Sequence, residues 1–396
     1  MALIQGSDAE PAQDTNEPSE AAPTDAAAEA ATGAKIEAKP AARAGRRPRR
    51  ETSVRQLAES LSVSVATVSR ALNNHPEVSE DTRRRVVEAA REAGYVHNVG
   101  KRATNFLGLL FPDEQPAEFG GFEASILSGI LRVARANQYD ISIVDPTREK
   151  HAAESYTQFF QRKGIAGALL RGAEGTLAAS ELAAEDFPSV IIAGRSPDPK
   201  VSFVDGQSRQ TSKQAVQHLI ALGHRRIGLG THVVDDDDHK DRREGYLDAL
   251  ASAGIPVDRR LIVRTPVDQR GGVLMLERLL SLEEPPTAIY FTNPLPTVGA
   301  LIRCAQLSIR VPEELSIIGF DDTDVRYRTY PAFSAVTQDA QAIAVDATRW
   351  LLARINGNAF GVHRELRETQ FHVEESTAFS PPSAVRLSPT GVVVRD

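Results

Sequence analysis

Cysteine occurs once in this chain of 396 residues, as Cys304. A single thiol excludes a disulfide framework and fits a reducing cytosol. Long apolar runs are missing too. None approaches the roughly 18 residues of a membrane span, and the residues after Met1 lack the apolar core of a signal peptide. No membrane partner is expected, and the expected location is the cytoplasm. Catalytic signatures are equally sparse: there is no nucleophile elbow, phosphate-binding glycine loop, Ser-His-Asp context or paired-cysteine site. An enzyme is therefore the least favoured class, and no cofactor is implied. The run Asp235 to Asp238 with His239 has the residue types of a metal site. Neighbours in an extended loop point in alternating directions, and hard cations take spaced ligands, so the run reads as a solvated acidic loop and no metal is expected.

Positive charge is also scarce overall, with a net charge of −7. Its distribution matters more than its total. From Arg46 to Arg102 there are 12 basic and 7 acidic residues, a net of +5, which leaves −12 for the rest of the chain. A basic island on an acidic protein is the electrostatic footprint of one DNA-binding module.

Within that island lies the most informative stretch, Leu57 to Tyr95. Val54, Leu57, Ala58 and Leu61 form the apolar face of a first helix. Ser62-Val63-Ser64 then makes a tight turn, and the Ser64 hydroxyl is placed to cap a second helix over Val65 to Leu72. Val68, Ala71 and Leu72 supply its buried stripe, and Thr67, Ser69 and Arg70 its polar side. A third helix opens at Ser79, with Glu80 and Asp81 in the positive first turn, runs through Val86, Val87, Ala89 and Ala90, and stops at Gly94. This is the helix-turn-helix layout. Small residues at the start of a short second helix allow close approach to base edges in a major groove. Val65 and Ala66 suit a thymine methyl, Arg70 suits guanine O6 and N7, and Ser64, Thr67 and Ser69 suit phosphate or base contacts. A small helical bundle with no ligand has the same periodicity.

The segments VSVATVSRALN and VSEDTRRRVVEAAREAGY resemble the DNA-binding headpiece of the LacI/GalR family of bacterial transcription regulators, densely over some forty positions. The likeness continues through HLIALGHRRIGL, RREGYLDALASAGIP, PPTAIYF and RVPEELSIIGFDD, so that it covers nearly all of Ser53 to Ala378. It implies a homodimer whose headpieces read a double-stranded DNA operator and whose core binds a small-molecule effector, most often as a repressor. The family's usual junction is longer and carries a leucine that enters the minor groove. Here no leucine stands in the equivalent place, and Gly100 weakens a short helix. Lys101 and Arg102 remain as candidate phosphate contacts.

Short apolar strands alternate with helices from Phe106 onward. FLGLLFP is a strand, followed by a helix over Glu123 to Asn137, the strand DISIVD, a helix over Ala152 to Lys163, and the strands AGALLR and SVIIAG. A helix ending in AVQHLIALG, the strand RRIGLG and a helix over Arg242 to Ala253 come next. LIVR, a helix from Gly271 to Leu282, TAIYF, a helix from Thr297 to Gln306 and SIIGFDD complete the series. Such alternation implies parallel sheets covered on both faces. The series is too long for one sheet, so the expected fold is an α/β core of two doubly wound subdomains, periplasmic-binding-protein-like, behind an all-α helix-turn-helix domain. The expected divisions are an acidic tail and basic arm (1–50), the headpiece (51–98), a shortened hinge (99–105), the two-lobed core (106–380) and a tail (381–396). Pro381 to Asp396 has no leucine heptads and gives no support for a tetramerising helix. Trp350, in a helix from Gln341 to Ile355, is a packing residue.

Ligands in such folds bind at the carboxyl ends of strands, between the lobes. The resemblance nominates Phe122, Asp205, Arg242, Asn293 and Asp321. It implies that Arg242, heading an R-x-x-G-Y motif with Gly245 and Tyr246, donates to effector hydroxyls or carboxylates, and that Asp321 accepts from effector hydroxyls. Either residue serves equally well as half of a structural pair. Two departures bear on the ligand: Asp205-Gly206 replaces the usual Asp-Asn, and Asn293-Pro294 replaces an Asn-Asp whose aspartate grips sugar hydroxyls. Proline has neither a carboxylate nor an N–H, which argues against the standard sugar grip. The competing class is a small-molecule binding protein with a vestigial or non-specific headpiece; retention of Ser64, Thr67, Ser69 and Arg70 counts against it.

Overall fold

The structure is a computed structural model, and it describes residues 54–72, 78–92, 105–110, 120–234 and 236–395. The acidic tail, the basic arm, the Gly94 stop, most of the hinge with Lys101 and Arg102, and Asp235 lie outside the described residues.

Three helices form the headpiece: α1 (Val54–Ser60), α2 (Val65–Leu72) and α3 (Glu80–Glu92). Capping defines where they begin. The Thr67 amide donates to Ser64 Oγ at 3.0 Å, and the Thr82 amide to Ser79 Oγ at 3.3 Å. Leu57, Ala58, Val68, Ala71, Val86 and Ala90 are buried together, each large side chain contributing about 1.5–3 kcal/mol. Val87 lies exposed. Adjacent helical residues diverge by 100°, so Val86 and Val87 cannot both face this small core.

The core begins with β1 (Phe106–Leu110), α4 (Gly121–Ala136), β2 (Asp140–Val144), α5 (Pro146–Glu149), α6 (Tyr156–Arg162), β3 (Ile165–Leu170), α7 (Gly172–Ala184), β4 (Ser189–Ile192) and β5 (Phe203–Gln207). The chain then builds a second lobe from α8 (Arg209–Ala221), β6 (Ile227–His232), α9 (Asp237–Ser252), β7 (Ile262–Thr265), α10 (Gln269–Leu280), β8 (Ala288–Phe291), α11 (Pro294–Gln306), β9 (Ser316–Asp321) and β10 (Ser334–Thr337). It returns to the first lobe for α12 (Ala340–Ile355) and β11 (Arg364–Glu368), then crosses again for β12 (Gln370–His372) and a hairpin of β13 (Arg386–Leu387) and β14 (Val393–Val394).

Each lobe carries one six-stranded sheet, ordered β11-β5-β4-β3-β1-β2 in the first and β12-β10-β9-β8-β6-β7 in the second. Pairing is parallel apart from the short antiparallel edge between β10 and β12 and the β13–β14 hairpin. Central strands such as β8, AIYF, and β9, SIIGFD, are buried along their whole length, as a sheet covered on both faces requires. In both sheets the order reverses beside the first strand, between β1 and β3 and between β6 and β8. Loops at the carboxyl ends of those strands part there and leave a crevice. Asp205 lies on β5, inside the first-lobe sheet rather than at the start of the second lobe.

The residues after Pro381 are no free tail. Val385 and Leu387 are buried in the second-lobe core against β7, α10 and α11 neighbours. Two apolar residues at spacing two, in a short stretch rich in Pro and Ser, give a signal too brief to register as a strand. Trp350 packs against the first-lobe core and stacks on His363 at 5.6 Å between ring centroids.

Candidate DNA-reading helix and effector cleft

The outer face of α2 is set by its buried one. Val68 and Ala71 turn inward, which leaves Ser64, Val65, Ala66 and Arg70 exposed and Thr67 and Ser69 half-exposed. Val65 is 46% exposed although apolar, a poor use of a β-branched residue in a small helical bundle unless something apolar meets it. The hydroxyls of Ser64 and Thr67 lie 2.8 Å apart while Ser64 caps the helix. The face therefore offers a methyl-sized apolar start, two hydroxyls and, one turn further on, a guanidinium. That is the stereochemistry needed to meet a thymine methyl and a guanine edge in one groove.

The cleft forms where strand ends from both lobes face each other. From the first lobe come Phe122 and Glu123 at the start of α4, Arg171 directly after β3, Arg195 after β4, and Asp205 in the middle of β5. Arg171 sits over the Phe122 ring at 4.9 Å and donates to the carbonyls of Ile192 and Ala193 at 3.1 and 3.0 Å, with Glu123 at 3.9 Å. Arg195 binds Asp205 at 2.7 Å, the Gly206 carbonyl at 2.6 Å and Asp241 of α9 at 2.7 Å. One guanidinium thus ties the two lobes together. A Cβ at position 206 would lie 2.7 Å from Gln338 Oε1, so the glycine that departs from the family pattern sits against the neighbouring crossover.

From the second lobe, α9 begins at Asp237, five residues before the expected Arg242, because Asp236 caps it through the His239 amide at 2.8 Å. The acidic run is consequently a helix start and not a solvated loop; charge that complements a helix N-terminus is stabilised there. Asp238 is turned into the cleft beside Arg242, at 3.4 Å. Arg242 is buried, donates to the Thr292 carbonyl at 2.7 Å and lies 3.5 Å over the Phe320 ring. The rest of its motif is structural. A Cβ on Gly245 would meet the Arg209 carbonyl at 2.3 Å, so only glycine lets α9 cross α8 this closely, and the buried Tyr246 hydroxyl donates to the Ile227 carbonyl. Asn293 Oδ1 faces His239 Nε2 and the Thr292 hydroxyl, each at 3.0 Å, while Pro294 opens α11 at a position where its missing N–H costs nothing.

Asp321 does not fit its expected role. It is fully buried, and its two oxygens accept from the amides of Thr323, Val325 and Arg326 and from the Arg326 guanidinium at 2.9 Å. The local turn consumes its acceptors, so none is left for an effector. The neighbouring Asp322 is the carboxylate near Arg242 and Glu123; burial pushes it up to about 7. Asp205 is likewise pushed up to about 7, by burial and then by the charge of Asp238. Asp238 is raised by burial. Although burial opposes its charge, Asp236 is held down to about 2 by its bond to His239. Phe122, Asp205, Arg242 and Asn293 are therefore brought to one region. Arg171, Arg195, Asp238, Asp241 and Asp322 join them and are nominated by no motif, although Arg171 and Asp322 directly follow strands and Arg195 stands three residues past one, where the carboxyl-end rule points. Among the described residues no group of His, Cys, Asp and Glu is arranged to hold a metal ion, and no helix is long and apolar enough to cross a membrane.

The family profile described as bacterial regulatory proteins, lacI family, matches residues 54–98, and one described as a periplasmic binding protein-like domain matches residues 216–377. The chain is 30% identical over 335 residues to the HTH-type transcriptional repressor CytR of Escherichia coli strain K12, covering 83% of this chain and 97% of that protein. It is 27% identical over 331 residues to the probable HTH-type transcriptional repressor ExuR of Bacillus subtilis strain 168, covering 82% and 98%. Among solved structures, the transcriptional regulator CelR in complex with cellobiose superposes with a TM-score of 0.59 at 26% identity, covering 82% of this chain and 99% of that one. A LacI family transcriptional regulator from Mycobacterium smegmatis gives a TM-score of 0.57 at 28% identity, covering 69% and 99%.

Proposed function

Because the chain belongs to the LacI family of bacterial regulatory proteins, we propose that it works in the cytoplasm as a homodimeric repressor whose paired headpieces read a near-palindromic operator. A small molecule held between the lobes modulates its affinity for DNA. In this reading it regulates transcription and catalyses nothing; its relatives CytR and ExuR are named as transcriptional repressors.

The observation that carries the proposal is the outer face of α2. Ser64, Val65, Ala66 and Arg70 are exposed around the helix start, with Thr67 and Ser69 beside them, whereas Val68, Ala71 and Leu72 face the headpiece core. Lys101 and Arg102 are assigned to phosphate contacts on charge alone. Phe122, Asp205, Arg242 and Asn293, with Arg171 and Asp322, are assigned to the effector site. An effector shifts DNA affinity only through its differential affinity for two arrangements of the dimer. The lobe-bridging contacts of Arg195 support a closure that a ligand can bias.

The proposal is tested by selecting binding sites from a random duplex pool with the full-length protein and sedimenting it on the winning duplex. A near-palindrome carrying two chains is expected. Winners without dyad symmetry, each bound by one chain, would contradict it.

A further inference from the structure

Taking the effector site as proposed, we infer that its ligand is an amine-bearing cation rather than a carboxylate or phosphate ester. The charges facing the cleft are unbalanced. Asp236 is matched by His239 at 2.6 Å. Of the remaining carboxylates, Glu123, Asp205, Asp238, Asp241 and Asp322 have Arg171, Arg195 and Arg242 among them; Arg209, also near Asp241, is paired with Asp248, and His239, also near Asp238, with Asp236. Five carboxyl groups against three guanidiniums leave the site short of positive charge, and burial and the shortage together raise Asp205 and Asp322 to about 7 and also raise Asp238; a bound cation favours their charged forms.

Much of the arginines' donor capacity is also spent inside the protein. Nη1 of Arg171 goes to the Ile192 and Ala193 carbonyls, and Nη2 lies 3.9 Å from Glu123. Arg195 is spent on Asp205, Gly206 and Asp241, and Arg242 on the Thr292 carbonyl and Asp238. Nε of Arg171 and of Arg242 is buried without an acceptor, so each lobe keeps an arginine donor, but in a site where carboxylates outnumber guanidiniums and repel a further anion. The acceptors, by contrast, are left open. Asp205 is 1% exposed, yet its Oδ1 has no hydrogen-bond partner; Oδ1 of Asp238, from the opposite lobe, has none either. A buried acceptor without a donor is costly, so closure of these two lobes on one another favours a ligand that brings donors and positive charge together. An ammonium group brings three N–H donors and the missing charge; a neutral hydroxyl supplies a donor and leaves the imbalance.

The experiment is thermal-shift titration of the full-length protein, followed by calorimetry, with matched probes: glucose, glucosamine and glucuronate, and separately putrescine and spermidine. The aminated probes are expected to stabilise the protein, with dissociation constants at least tenfold below those of glucose and glucuronate. D205N, and independently D322N on the less buried carboxylate, are expected to erase that preference while the protein still melts cooperatively. Tighter binding of glucose or glucuronate than of glucosamine would overturn the inference and leave the effector reading intact. An absence of binding by any probe, with DNA affinity unmoved by all of them, would remove both.

Discussion

At the scale of single residues, exposure and burial set the expectations. Arg70 is exposed on the outer face of α2, so Arg70→Ala is expected to weaken binding to the preferred sequence by about 1–3 kcal/mol, while competition with random duplex shows a much smaller loss. Equal losses on both would mean that Arg70 meets phosphate alone. Asp322 gives a prediction with a definite sign. Its folded-state value of about 7 lies above the ordinary 3.8, so between those limits the native state holds the proton that the unfolded chain has released, and stability falls as pH rises. Asp322→Asn should remove that fall. Its melting temperature is expected to match the parent's near pH 4 and to exceed it increasingly up to about pH 7, then by a constant margin. A margin that ignores pH would sink this assignment. Asp321 and Asp322 also show the limit of reading residues in a row: both carboxylates stand in the same motif, and only the path of the turn through Thr323 to Arg326 decides which one is consumed.

At the scale of elements, capping and packing explain both what was legible and what was not. The bounds of α2 follow from Ser64 and the spacing of Val68 and Ala71, and the folded helix keeps them. Ser64→Ala removes the acceptor for the Thr67 amide and is expected to cost about 1 kcal/mol locally. The check is hydrogen exchange on the full-length protein, where amides at the start of α2 should lose protection; unchanged exchange would show the cap to be redundant. Helix α7 leaves little trace in the sequence because GAEGTLAASELAA is dominated by small residues. Its buried residues Ala178, Ala179 and Leu182 pack without the bulky stripe that marks a helix face. Helix α6 begins at Tyr156 rather than Ala152 because Ser155 and Gln158 close a capping box there. The start of α9 was hidden by its own charge: four aspartates in a row look like solvated loop until one is seen to cap and another to be buried.

At the scale of the whole molecule, alternating strands and helices predicted two doubly wound lobes, and the chain's three crossings between them produce a cleft lined by strand ends. What alternation does not convey is how the lobes are tied. Arg195 reaches from the first lobe to Asp241 of the second while neutralising the buried Asp205. Arg195→Ala leaves that carboxylate without its partner, and breaking such a pair costs about 3–5 kcal/mol. The deficit in melting temperature should shrink on acidification, since Asp205, already pushed up to about 7, takes a proton and sheds the unpaired charge. A deficit equally large at low pH would point to lost packing instead. The central claim, that this is a sequence-reading regulator, is met most directly by sequencing the genomic fragments retained by the purified protein at a low and a high salt concentration. The account predicts one near-palindromic motif enriched at both, because base contacts survive the loss of phosphate attraction. Retention that collapses with salt and leaves no common motif would contradict it.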